Sequence, residues 1–151
     1  MIQIERLSDD TLVWIVDVLK RAGYPLTASP TGIRLRDVGG LGGDHSVDVD
    51  VEVYLLDEVK VVRFHSPLRS RGGSFESAIL AATRGNRATF VPRFEVEEHL
   101  GHGASVFHVS ANFCLYADHL SEQELLSMMG LFLHEVDAID NELVSIIEGN
   151  A

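Results

Sequence analysis

The sequence predicts an α+β fold in which helices cover one face of an antiparallel sheet. Three patterns carry that expectation. Val47, Val49, Val51, Val53 and Leu55 alternate with Ser46, Asp48, Asp50, Glu52 and Tyr54, so one strand has an apolar face and an acidic face. Phe107, Val109, Ala111, Phe113 and Leu115 alternate in the same way with His108, Ser110, Asn112, Cys114 and Tyr116. Near the C-terminus, Leu125, Met129, Phe132, Val136, Ile139, Leu143 and Ile146 recur at helical spacing. Strands that are oily on one side need a cover on that side only, and helices are available at the start, middle and end of the chain.

The first helix is expected from about Asp9 to Ala22, with Ser8 as N-cap, Asp9 and Asp10 at the positive end of its dipole, and Gly23 as its stop. Leu12, Ile15, Val16, Leu19 and Ala22 form its apolar stripe, and Trp14 lies to one side of it. Pro30-Thr31-Gly32 reads as a turn, and Ile33 and Leu35 alternate with Arg34 and Arg36 in a first strand. A glycine-rich loop, Gly39 to Gly43, follows. The alternating stretch from His45 to Phe64 is a β-hairpin turning at Asp57-Glu58. Ser74 caps a second helix, Phe75 to about Arg84, with Phe75, Ala78, Ile79 and Ala82 on one face and Gly85-Asn86 closing it. Phe90 to Val96 is a strand that Pro92 places at a sheet edge. His99 to Gly103 turns a second hairpin, and Ser105 to Tyr116 returns. Ser121 and Glu124 form a capping box that opens the last helix, which runs to about Ile147. The order is α-β-β-β-α-β-β-α, with five strands in one antiparallel sheet.

At 151 residues, without repeats or a linker, the chain is expected to form one domain over 1–151. A single cysteine, Cys114, permits no internal disulfide and favours a reducing compartment, most simply the cytoplasm. No run approaches the roughly 18 apolar residues of a membrane span. The formal net charge of −11 argues against nucleic acid as a partner. That charge is uneven. From Phe94 onward there are eleven acidic residues and no Lys or Arg, whereas Leu68 to Arg93 holds five Arg and one acid, Glu76.

Candidate chemistries are weak. The glycine-rich loop leads into a strand rather than a helix, and no Lys-Ser/Thr closes it, so it does not read as a phosphate cradle. His99 and His102 share a turn with acids nearby and are the one place for a metal- or small-molecule-responsive reading, yet neither a helical His-Glu-x-x-His nor a thiolate pair supports it. Asp48, Asp50 and Glu52 read as a solvated strand face whose like charges Lys60 and Arg63 can relieve. No nucleophile has a recognisable setting, so neither catalytic residues nor a cofactor are assigned.

Three blocks carry a family resemblance. They are Leu19-Lys20-Arg21-Ala22-Gly23-Tyr24, then Gly85-Asn86-Arg87 followed by Phe90-Val91-Pro92-Arg93-Phe94-Glu95-Val96, and Leu120-Ser121-Glu122-Gln123-Glu124-Leu125. With the element order they resemble the YbjN-like family, whose members are labelled bacterial sensory transduction regulators and look similar in fold to type III secretion chaperones. The chain departs from the family's Asn-x-x-Asn pair, having Thr83 before Asn86. The resemblance implies a small, acidic, cytosolic homodimer, non-enzymatic, that binds protein segments in a chaperone-like or regulatory role. The basic stretch bearing Arg69, Arg71, Phe75 and Arg87 is the expected partner-binding surface, suited to an acidic partner or to the acidic half of a second copy.

Overall fold

A computed structural model describes residues 9–29, 32–39, 46–101 and 103–149. The elements are α1 (Asp10–Arg21), β1 (Thr27–Ser29), β2 (Gly32–Gly39), β3 (Ser46–Leu56), β4 (Val59–Pro67), α2 (Phe75–Ala88), β5 (Arg93–Gly101), β6 (Ala104–Tyr116) and α3 (Glu122–Ile147). Every strand pairing is antiparallel, in the order β1-β2-β3-β4-β6-β5. The expected five strands are therefore six. The extra one, β1, is three residues long and pairs Thr27 to Ser29 with Arg34 to Gly32. It is too short and too polar to show a period of two.

The predicted alternation holds across the sheet except at the β3–β4 tip, where Leu55 is exposed. Ile33, Leu35, Val47, Val49, Val51, Val62, Phe64, Phe94, Val109, Ala111 and Phe113 are buried together beneath the helices. Phe64 and Phe113, cross-strand partners, stack with centroids 4.2 Å apart, and Phe132 of α3 leans on Phe113 at 4.8 Å. Leu125, Met129, Phe132, Val136, Ile139 and Leu143 bury the stripe read in α3, and its last buried position is Ile147 rather than Ile146. Its start is capped as expected, with Ser121 Oγ accepting from the Glu124 N–H at 3.0 Å. The β3–β4 turn uses Asp57 and Glu58 at φ 48° and 68°, the left-handed pair that suits the twist of a tight hairpin.

Several boundaries differ from expectation. Asp9 is the N-cap of α1, its Oδ1 accepting from the Thr11 N–H at 2.7 Å, and Ser8 lies outside the described residues. Helix α2 runs past Gly85-Asn86 to Ala88, because Gly85 is a packing position: a Cβ there would stand 2.5 Å from the Phe94 ring. Its buried face is Ala78, Ala81, Ala82 and Gly85, so Phe75 and Ile79 are exposed instead of sharing that face. Strand β5 begins at Arg93 rather than Phe90. The Glu135 carboxylate accepts from the N–H groups of Phe90 and Val91, both at 2.8 Å, and holds that segment at α3 away from the sheet. The edge position read from Pro92 is borne out for β5, although Pro92 precedes the strand. No helix among the described residues is long and apolar enough to cross a membrane.

Candidate functional site

The four residues of the basic stretch are dispersed by the fold. Arg69 Nη2 reaches Asp48 Oδ1 at 2.9 Å on the rim of the polar sheet face. Arg71 is tied to the end of α3, its backbone N–H donating to Glu148 Oε2 at 2.7 Å and its guanidinium 3.4 Å from Oε1. That backbone donation, with the guanidinium beside it, holds the Glu148 carboxyl below its ordinary value. Phe75 opens α2 and packs edge-on against Phe107 of β6, centroids 5.3 Å apart. Arg87 lies exposed in the last turn, about 18 Å further along the helix axis at 1.5 Å per residue. Phe75 and Arg87 are thus on one helix, and Arg69 and Arg71 belong to its approach.

Helix α2 carries apolar side chains that nothing among the described residues covers. Leu80 is 63% exposed, Phe75 54% and Ile79 42%. At 3.6 residues per turn α2 divides into sectors. The buried sector lies on the sheet. Arg84 lies on the flank toward α3, where it pairs with Glu142. On the opposite flank are Phe75, Ile79 and Asn86. Between the flanks, pointing outward, run Glu76, Leu80, Thr83 and Arg87, all exposed. A second apolar patch sits at the β3–β4 tip, where Leu55, Leu56, Val59 and Tyr116 are exposed, the last three lining, with Cys114 and Leu115, part of a hollow of about 470 Å³. Desolvation pushes the Cys114 thiol up, which keeps it protonated near neutral pH.

The open face of the sheet is a polar lattice. Asp50 is relieved by Arg34 at 2.8 Å, and Asp48 by Arg36 at 3.8 Å and Arg69. The relief expected from Lys60 and Arg63 is spent elsewhere. Lys60 pairs with Asp9 at 3.2 Å, and Arg63, though opposite Glu52 in register, donates to Asn112 Oδ1 at 2.9 Å. Glu97 lies between His65 and His99, each 3.6 Å from one of its oxygens, and accepts from Ser110 Oγ at 2.9 Å. The His108 ring is 4.7 Å from that of His99. Of the turn proposed for a metal, His99 belongs to β5 and His102 lies outside the described residues. Among the described residues no group of three His, Cys, Asp or Glu could hold a metal ion. The glycine-rich loop at 40–43 also lies outside them.

Sequence reasoning did not single out Asn86 in this setting. Its side-chain carbonyl accepts from the Phe94 N–H at 2.7 Å and its amide donates to the Phe94 C=O at 3.1 Å, as a neighbouring strand would. An Asn after Gly reads as a helix end, and that reading hid the role.

No protein-family model and no curated protein sequence matches the chain. A solved structure does, described as "Crystal structure of YbjN, a putative transcription regulator from E. coli", with a TM-score of 0.53 and 9% identity over 85% of this chain and 87% of that one. At that identity the likeness is one of fold, and the fold is the one the sequence resemblance implied.

Proposed function

We propose that the chain is a non-enzymatic protein-binding module, chaperone-like or regulatory, that works in the cytoplasm as a homodimer. The observation carrying this reading is the run of exposed apolar side chains on neighbouring turns of α2, Phe75, Ile79 and Leu80, since a patch of that kind rather than a single exposed residue marks a contact surface. The description of YbjN as a regulator supports the regulatory role.

The stripe Glu76–Leu80–Thr83–Arg87 is self-complementary. A two-fold axis across the middle of α2 sets two antiparallel copies together, with Glu76 of each against Arg87 of the other and Leu80 against Thr83. Arg69 and Arg71 are themselves exposed, in ion pairs that an acidic partner segment can replace. The test is sedimentation across a concentration series. Glu76→Arg alone and Arg87→Glu alone each weaken the dimer about tenfold, and the double exchange restores it. A protein that stays monomeric at all concentrations overturns the homodimer, and a double exchange no better than the singles overturns this face.

A further inference from the structure

Among the described residues, nothing pairs with the outer edge of β5 over most of its length. Phe94 directs its N–H and C=O away from β6, since both are taken by the Asn86 side chain. In an antiparallel ladder the outward groups recur every second residue, so Val96, Glu98 and Leu100 also point outward. Among the described residues no strand or side chain takes those groups. Asn86 therefore covers the first outward pair of an edge whose remaining pairs lie open.

Helix α2 roofs this edge. Phe75, Ile79, Ala82 and Asn86 fall within about 60° of one another around the helix, and the Asn86 bonds fix that flank as the one facing β5. Phe75 and Ile79 are thus exposed beside the open edge, with Val96 and the largely exposed Leu100 on the same side of the sheet. On the other side Glu95 and Glu97 stand in a row with Arg93, the one cation of the strand, while Glu98 lies between Val96 and Leu100 on the roof side.

We infer that this groove accepts a basic, extended peptide segment as a seventh strand, an inference that rests on the protein-binding reading and gives it a binding site apart from the Arg69 and Arg71 surface. The new strand would lie about 4.8 Å from β5 and take the outward groups of Val96, Glu98 and Leu100. Its period is dictated by the groove. Apolar side chains fall toward Phe75 and Ile79, and the alternating Lys or Arg fall beside Glu95 and Glu97. A second copy of β5 is a poor occupant, because its own three glutamates would meet the same three.

The probe is a fluorescently labelled nine-residue peptide alternating lysine and valine, titrated with the full chain and read by anisotropy. It binds about tenfold more tightly than a lysine/serine peptide of equal charge, and about tenfold less tightly at about 500 mM than at about 50 mM salt. Glu98→Pro removes one outward N–H and leaves the bonds to β6, so binding falls about tenfold further than in Glu98→Gln, which removes the charge alone. Ile79→Asp weakens binding on the roof side. Should the proline variant not fold, amide exchange in the unaltered protein decides, with Val96 and Glu98 slowing when the peptide is added. Binding that leaves those amides unchanged, or that does not distinguish valine from serine, overturns the inference. The Glu76/Arg87 exchange is read separately, so a dimer that behaves as proposed beside an inert β5 edge overturns this inference alone, and protected amides in a strict monomer overturn the dimer alone.

Discussion

Asn86 does the work of a strand with one side chain. Its amide satisfies both outward groups of Phe94, and no other amino acid of that length offers a donor and an acceptor so placed, apart from the longer Gln. In Asn86→Ala the helix gains a few tenths of a kcal/mol in propensity and loses two hydrogen bonds at a partly buried site. The loss outweighs the gain. The variant is destabilised by about 1–2 kcal/mol in urea denaturation, and the Phe94 amide exchanges faster, while an unchanged Phe94 rate contradicts the role. Residue identity alone did not reveal this pairing, because Asn after Gly is also what ends a helix. What a residue does at its site depends on a neighbour eight positions away that local patterns do not specify. The same is true of Arg63, which lies opposite Glu52 in register yet serves Asn112, and of Lys60, which stands opposite Leu55 on the other face of the sheet and serves Asp9.

Elements with a period long enough to read were legible. Both hairpins, the alternation of β3 and β6, and the start and end of α3 follow from patterns contained within each element. Elements fixed by distant groups were not. The segment Phe90 to Pro92 has the composition of a strand, but Glu135, on α3, takes its first two N–H groups, and Phe90 is left 98% exposed. Replacing that carboxylate separates local preference from tertiary hold. Glu135→Ala leaves two N–H groups without their charged acceptor and costs about 1–3 kcal/mol by denaturant unfolding. Amide exchange at Phe90 and Val91 rises most, with β6 unaffected. Equal acceleration along all of α3 would mean that Glu135 supports the helix rather than the connection. The dispersal of Arg69, Arg71, Phe75 and Arg87 has a similar origin, because a stretch that is contiguous in sequence turns at Gly72-Gly73 and then runs the length of α2.

At the scale of the whole molecule the titrating groups combine to make acid unfavourable. On the polar face, burial lowers the His108 pKa, and the neighbouring charge of His99 lowers it further, against the opposing pull of Glu97. Ser70 and Gly72 approach His108 from the β4–α2 connection, 3.4 Å from Nδ1 in the case of Ser70 Oγ, and bring no charge. A lowered imidazole pKa means that below about 6.5 the unfolded chain binds a proton the folded chain declines. The stability this neutral ring confers is therefore complete above about 6.5 and is lost as pH falls through the folded value. Two carboxylates add a second step. At Asp9 burial raises the pKa, but the Thr11 N–H and the Lys60 ammonium outweigh it and the net value is lowered. Glu148 is lowered by the Arg71 N–H. Both contribute above the ordinary carboxylate range, about 4, and fail below it as they are protonated. The urea midpoint should thus fall in two stages on acidification, the first near neutral pH and the second below about 4. His108→Gln removes the first stage and leaves the second, whereas Arg71→Ala shrinks the second and leaves the first. A midpoint that is level between pH about 7.5 and about 5.5 in the unaltered protein would remove His108 from the account.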